Sequence, residues 1–562
     1  MKRKGKIKRR IFRAISGFIL IIAVLVAIYY FKVKAFAPDL GAERNYVARV
    51  EQIRESAFET GNGGWLKKSD EGIWDMYITG KPYALGSNFG ALTQKLHKEK
   101  EGAFISEIQN RIPSAGYLNI LKYFVGWFNR DIDDYIAPEF KTEIYGVSNY
   151  MADEFDFIAP KYQRILSYHA AHDIGHALQN MNLVGCTSFA VKDGDSENGK
   201  LMLGRNFDFY FGSDFAKDLI VAFYRPDSGY QFMSVTWAGF SGVVSGMNEK
   251  GLTITLNSAK SAIPSKGKTP VSIIAREVLQ YAENIDEAYA IIEARPSFIA
   301  ETFLIGSAAD GKAALIEKSP DETDIYYEDQ KPLIATNHFQ SEALVDTPLN
   351  LEYMSEGVST YRQNRVAQLI DSLKPLNEKS IAAILRDQKG LNDAEIGMGN
   401  EKAVNQLIAH HSVIFSPEEM MAWVSTPPYM LGAYRAYNLA EIFKARNPVG
   451  PPIDTLRSVP RDPFLDTDEY RDYVYFSQTR ERIQTFLFSG KGTPLSDSEI
   501  RRFKNSNSNS FLTFYYLGEY YLKHKDYAAA KEAFEKGLSL TVARESERKQ
   551  MRDGIETANS KL

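Results

Sequence analysis

One cysteine, Cys186, is all the thiol that 562 residues contain. A single cysteine excludes an internal disulfide, so packing alone must hold the fold, and the thiol stays free for chemistry even in an oxidising compartment. The chain also lacks an excess of charge of one sign. Its 67 Lys and Arg against 71 Asp and Glu leave a net charge of -4, which gives no basis for a nucleic-acid partner. Nor is it short of apolar residues. At 44% hydrophobic it is no disordered protein, and its length allows two or three domains around a sizeable core.

Charge is strongly biased only at the N-terminus, where Lys2, Arg3, Lys4, Lys6, Lys8, Arg9 and Arg10 precede an uncharged apolar run over 15–31. With its flanks this run is long enough to cross a membrane, and the basic residues before it favour a cytoplasmic N-terminus. The expectation for 1–40 is therefore a basic tail and a single-pass anchor, with the rest extracytoplasmic, on the periplasmic side in a bacterium. Ala35-Phe36-Ala37 offers the alternative of a cleaved signal peptide, against which stand the length of the run, Lys32, Lys34 and Pro38.

Over 41–185 the apolar residues recur mostly at helical spacing, with breaks at Gly61-Asn62-Gly63-Gly64 and Pro113-Ser114, and the segment reads as a helical region. After Leu183 the texture changes to short β-type runs between turn residues, as at 186–191, the turn Lys192-Asp193-Gly194 and 201–211. Helical patterns return at 271–294 and 360–373, so 186–445 is expected to be a layered α+β domain. Asn447-Pro448-Val449-Gly450-Pro451-Pro452 disfavours helix and sheet and marks a linker, assigned to 446–500. In the tail, 501–562, Leu517-Gly518, Tyr521, Tyr527, Ala530 and Phe534 lie in two helical segments joined at His524-Lys525-Asp526. They read as one tetratricopeptide-like unit or as a plain helical hairpin.

Cys186 follows Gly185 directly. Downstream come Gly204-Arg205-Asn206-Phe207-Asp208, Gly246-Met247-Asn248-Glu249-Lys250-Gly251-Leu252, Leu256-Asn257 and Ala335-Thr336-Asn337. In that order and spacing the sequence resembles the choloylglycine hydrolase and penicillin V acylase superfamily, in particular its acyl-coenzyme A:6-aminopenicillanate acyltransferase branch. The resemblance implies the N-terminal-nucleophile αββα sandwich and a self-cleavage between Gly185 and Cys186, with 1–185 kept as a separate chain. The chemistry has its own logic. A free α-amine has a pKa near 8, so it can take the proton of its own residue's thiol, and the thiolate can then attack an amide carbonyl to form an acyl-enzyme.

On this resemblance Cys186 is the nucleophile, Arg205 favours its thiolate, and Asp208 accepts a hydrogen bond from the new α-amine. Asn257 and Asn337 donate to the oxyanion or hold the substrate amide, and Arg362 supports the site with Arg365 as competitor. A three-residue separation puts Arg205 and Asp208 on opposite faces of a regular strand, so joint action requires a bend or a strand end, which Gly204 and Asn206 make plausible. His169, His172 and His176 sit at spacings that zinc ligands use, but no Glu follows His172 and no further ligand is near. They read as packing or processing residues, and no metal or cofactor is expected. His338 reads as a pocket residue or as a satisfied core or rim histidine.

The expected function is a thiol-dependent amidohydrolase or acyltransferase acting on small or lipid-like N-acyl amides; water or an amine as acceptor is left open. The alternative from another class is a non-catalytic membrane-anchored scaffold that binds protein partners through its tail.

Overall fold

Short apolar runs closed by turn residues build two sheets, and amphipathic helices cover their outer faces. A computed structural model describes the chain except for residues 1, 113, 178–183, 210, 213, 263, 329–330, 447 and 491–493. It begins with α1 (Lys2–Val33), of which Ile11–Val33 is long and apolar enough to cross a membrane. Four strands follow, β1 (Val50–Arg54), β2 (Ala57–Thr60), β3 (Trp65–Lys68) and β4 (Trp74–Gly80). Then come α2 (Pro82–Leu92), α3 (Gln94–Arg111), α4 (Ala115–Phe128), α5 (Pro138–Ser148) and α6 (Lys161–Ala177). The helical reading of 41–185 thus holds only from residue 82. The strands before it are four to seven residues long, too short to print a clear period of two, and β4 is buried along most of its length, which removes the polar alternation that betrays a strand.

The central part continues with β5 (Val184–Asp193), β6 (Gly199–Phe209), β7 (Ile220–Pro226), β8 (Phe232–Thr236), β9 (Ser245–Asn248) and β10 (Leu252–Ser258). Helices α7 (Val271–Tyr281) and α8 (Ile285–Ala294) precede β11 (Glu301–Ser307), β12 (Lys312–Lys318), β13 (Thr323–Tyr326) and β14 (Leu333–Ala335). Next are α9 (Pro348–Ser355), α10 (Val358–Leu373) and α11 (Glu378–Leu385), then β15 (Ala409–Ser416), β16 (Met421–Ser425), β17 (Tyr434–Asn438) and α12 (Leu439–Lys444). The turn between β9 and β10 shows why the Asn-Glu-Lys-Gly sequence is there. Asn248 Oδ1 accepts from Lys250 N and Leu252 N, both at 3.0 Å, and Gly251 takes φ +75° where a Cβ would press on the Pro417 carbonyl.

One sheet has eleven strands in the order β1-β2-β3-β4-β7-β8-β9-β10-β11-β12-β13, the other six in the order β14-β5-β6-β15-β16-β17. Between them lies an apolar layer that includes Leu203, Val221, Met233, Leu304, Val413 and Phe415. Ile274, Val278 and Ile292 of α7 and α8 cover the far face of the larger sheet, against Ile254, Phe303 and Ile305. Val366, Ile370, Ile381 and Leu385 of α10 and α11 cover the smaller sheet, against Phe189, Ile414 and Trp423. The mixed α/β core is therefore layered helix, sheet, sheet, helix. Each fully buried aliphatic side chain in these layers contributes about 1.5–3 kcal/mol relative to exposure.

The segment 446–500 is no plain linker. Its Pro-rich start is pinned by Trp65 Nε1 donating to the Pro448 carbonyl at 2.6 Å; Asn447 lies outside the described residues. Further on it forms α13 (Asp468–Ser489), N-capped by Thr467 accepting from Tyr470 N at 3.1 Å and closed by Gly490 at φ +67°. The reading missed this helix because its aromatic residues face Leu407 and the tail and print no simple stripe. The tail holds α14 (Asp497–Ser506), α15 (Phe511–His524), α16 (Tyr527–Leu538) and α17 (Glu545–Asn559). It packs on the core: Asn400 Nδ2 donates to the Thr541 carbonyl at 2.9 Å, and Arg544 pairs with Glu401 at 2.6 Å.

Candidate active site

β5 and β6 pair antiparallel in unbroken register from Val184 opposite Phe209 to Val191 opposite Met202. Cys186 faces Phe207, Ser188 faces Arg205, and Gly185 faces Asp208. Paired residues share a face, so the thiol and the Arg205 guanidinium lie on one side of the hairpin and Asp208 on the other. The bend anticipated at Gly204 is absent. Gly204 instead lets the Phe189 ring and Ile381 come close, where a Cβ would meet both at 2.8 Å. The irregularity lies in the neighbouring strand, where the register of β15 slips between Ala409, opposite Asp208, and His411, opposite Phe207.

The thiol is buried, with Arg205 Nη2 donating to Cys186 Sγ at 3.8 Å. Arg205 is itself held from several sides. Nη1 donates to the Val244 carbonyl at 2.9 Å and to Ser245 Oγ, lies 3.3 Å from His411 Nε2, and Nη2 donates to the Leu256 carbonyl. The Phe207 ring sits under the guanidinium carbon at 4.5 Å. Burial pushes the Cys186 thiol up to about 11; Arg205 and Arg362 pull it down, and Asp208 and Glu301 push it further up. With Cys186 still inside the chain, the thiol is protonated near neutral pH.

The backbone of Cys186 is gripped as closely as its sulfur. Its N–H donates to Asn337 Oδ1 at 3.0 Å, and its carbonyl accepts from Arg362 Nη1 at 2.7 Å. Arg362 also donates to Thr187 Oγ1 at 3.0 Å and to Asn337 Oδ1 at 2.6 Å. Arg365, the competing arginine, turns away to Asp387 and Asp393, at 2.8 Å each. Asn337 Nδ2 donates to the Ser258 carbonyl at 2.9 Å. Asn257 comes from β10 of the facing larger sheet, accepting from Ser188 Oγ at 2.7 Å and donating to the Ala335 carbonyl at 3.2 Å. Both asparagine amides expected as oxyanion donors are thus engaged with the protein. His338 is buried and bonded to Ser359 Oγ at 2.7 Å, and burial lowers it to about 4.

Asp208 is poorly served by comparison. Oδ2 accepts from Gln406 Nε2 at 3.3 Å and Oδ1 has no hydrogen-bond partner. Burial raises its carboxyl to about 7 against the pull of Arg362 and Arg205. In this structure the acceptor on the Cys186 nitrogen is Asn337. Sequence reasoning missed Gln406, which lies against Gly185 so closely that a Cβ there would meet its Nε2 at 2.8 Å. It also missed Ser188, Ser245, Ser258 and His411. None belongs to a motif, and only the pairing of β15 with the hairpin and the packing of the larger sheet against it bring them in.

His169 has both ring nitrogens engaged, with the Ile165 carbonyl at 2.8 Å and Ser241 N at 3.0 Å. The side chains of His172 and His176 lie outside the described residues, among which no cluster suits a metal ion. Phe209, two residues on from the Phe207 that faces Cys186, packs parallel to Phe207 at 5.7 Å and lines a cavity of about 50 Å³. Phe104, Tyr168, Phe215, Trp237 and Phe240 form its other aromatic walls, and His97 and Lys100 also line it.

Residues 195–427 match the family model of acyl-coenzyme A:6-aminopenicillanic acid acyl-transferase, a segment that begins after Cys186. An uncharacterized protein of Archaeoglobus fulgidus is 25% identical over 292 residues, 48% of this chain and 47% of that protein. The N-acylethanolamine-hydrolyzing acid amidase of Caenorhabditis elegans is 27% identical over 218 residues, 36% of this chain and 58% of the amidase. The chain spans about half the length of the curated relatives it matches. Among solved structures, the Caenorhabditis elegans ortholog of that amidase matches at 18% identity and a TM-score of 0.30, covering 42% of this chain and 93% of its own. Conjugated bile acid hydrolase of Clostridium perfringens matches at 14% identity and a TM-score of 0.31, covering 48% and 96%. The central segment of this chain, 195–427, carries the sequence pattern of the acyl-coenzyme A:6-aminopenicillanic acid acyl-transferase family, the same resemblance that Cys186 and the motifs after it express.

Proposed function

We propose that this chain is a self-processed cysteine amidohydrolase or acyltransferase that acts on linear N-acyl amides. The observation that carries the reading is the grip on Cys186, its nitrogen on Asn337, its carbonyl on Arg362 and its sulfur beside Arg205. In the proposed precursor the Cys186 thiol attacks the Gly185 carbonyl, the peptide bond becomes a thioester, and water releases residues 1–185. The freed α-amine then accepts the thiol proton, and the thiolate attacks the substrate amide to give an acyl-enzyme and a released amine. Water completes hydrolysis, or an acceptor amine completes transfer. The aromatic cavity beside Phe209 favours an apolar acyl group.

In the same reading α1 is a retained membrane anchor with a cytoplasmic N-terminus, and 41–562 lies on the extracytoplasmic side. Residues 41–185 then serve as the companion chain after cutting. The tetratricopeptide-like pair α15 and α16 acts as a buttress of the 396–407 loop: Phe511 and Phe534 pack with Val358, and Asn507 holds Met398. The alternative is a non-catalytic membrane-anchored scaffold that binds protein partners through this tail.

The test is the mass of the new N-terminus. Denaturing gels should show fragments of 185 and 377 residues (1–185 and 186–562), and Cys186→Ala should remain one chain without activity. A wild-type chain that stays uncut under all conditions sinks self-processing. Incubation of the cut protein with an N-acyl amino acid, with and without an acceptor amine, then separates hydrolysis from transfer by product.

A further inference from the structure

Helix α4 carries its apolar side outward. Tyr117, Ile120, Tyr123, Phe124 and Trp127 recur every three or four residues, and all are exposed, Phe124 by 67%. Water-facing helices normally show the reverse pattern. The side of α4 that is covered is covered in part by α1. Tyr29 stacks on Trp127 with ring centroids 6.2 Å apart and donates to the Tyr123 carbonyl at 3.1 Å. Gly126 makes this crossing possible, since a Cβ there would meet Tyr29 Oη at 2.8 Å and Val33 Cγ1 at 3.0 Å.

That contact fixes a depth. Tyr29 and Val33 belong to the last turns of α1, followed at once by Lys34, and in an anchor this is where hydrocarbon gives way to headgroups. A helix that rests on those turns through Tyr123 and Trp127, with Tyr117, Ile120 and Phe124 exposed beside them, lies at the same level. Its flanks suit the position. Arg130 sits over the Trp127 ring at 4.6 Å while pairing with Asp131 at 3.6 Å, and Lys122 reaches the Phe157 carbonyl at 3.0 Å. We infer that α4 is an interfacial helix, buried through Tyr117, Ile120, Phe124 and Trp127 in the outer leaflet beside α1, so that the protein meets the bilayer along a surface and not at a single stalk. This rests on the reading of α1 as an anchor.

Tryptophan emission tests it in the full chain, because Trp127 is 42% exposed while Trp65, Trp74, Trp237 and Trp423 are each at most 8% exposed. Full-length protein is reconstituted into phosphatidylcholine bilayers with and without lipids brominated near the headgroup. The expected result is bromolipid quenching that disappears in Trp127→Phe and falls in Phe124→Asp, with the protein still floating with the lipid in every case. Quenching no greater in wild type than in Trp127→Phe, on protein that floats, overturns the interfacial helix and leaves the anchor standing. Protein that does not float with lipid at all overturns both.

Discussion

The two faces of the β5–β6 hairpin are built to different standards. Toward the larger sheet, Ser188 and Arg205 meet several partners from Val244, β9, β10 and β15, with Arg205 Nε alone of the guanidinium nitrogens left without one. Toward α10 and the 396–407 loop, Asp208 has a single hydrogen bond and an unpartnered oxygen. A buried carboxyl so poorly solvated stays near its proton, whereas a guanidinium surrounded by carbonyls keeps its charge. On the proposed reading the thiol side is assembled before cutting, and the carboxyl side awaits the α-amine that cutting would create.

Replacing the centre of the better-served face should do the most damage. Arg205→Met takes the guanidinium donors from the Val244 and Leu256 carbonyls and from Ser245 Oγ, leaving Val244 with Leu256 N and Ser245 with His411; at about 1–3 kcal/mol for a buried group left unsatisfied, the urea midpoint at pH 7 should fall and processing should stop. A midpoint equal to wild type would show that this network is not structural. Asn337→Ala removes the acceptor on the Cys186 nitrogen but leaves most of the face intact. Self-cleavage should slow by about 10²–10³-fold, the loss typical of one well-placed polar group in acyl transfer, as timed on denaturing gels; an unchanged half-time removes Asn337 from the machinery.

The sparse face should answer to pH. The Asp208 carboxyl sits at about 7 in the fold against 3.8 for the free group, so the fold favours its protonated form. Its contribution to stability is fully present below about pH 4 and is lost as pH rises through about 7. Asp208→Asn should therefore gain on wild type between pH 4 and pH 8 in urea midpoints, and a difference independent of pH contradicts the assignment. The smallest effect is expected at Gln406→Leu, which removes one hydrogen bond beside Gly185. Processing should slow about tenfold, equivalent to roughly 1.5 kcal/mol, with the midpoint nearly unchanged, and a rate equal to wild type denies Gln406 any positioning role.

Much of the thiol side was legible in the chain because it rests on residues whose order carries the family resemblance: Cys186, Arg205, Asn337 and Arg362 converge as that resemblance implied. Arg362 and Arg365 were separable only in space, since three residues on one helix turn opposite ways. Ser188, Ser245 and Gln406 carry no periodicity and no rare chemistry, so nothing short of strand pairing reveals them. The strands at 50–80 were hidden by their shortness, and α13 by aromatic residues that serve two neighbours at once. The layered core was readable because strand and helix periods change abruptly after Leu183.

Strand β4 runs parallel to β7, with Trp74 through Gly80 opposite Ile220 through Pro226. A chain severed before Cys186 would have one of these strands in each product, joined by a continuous ladder inside a single sheet. The two products would then behave as halves of one body, inseparable by dilution and parted only by denaturant. Scission would change the chemistry at one nitrogen while the mechanical seam, more than a hundred residues away in sequence from that nitrogen on the β4 side, stays closed.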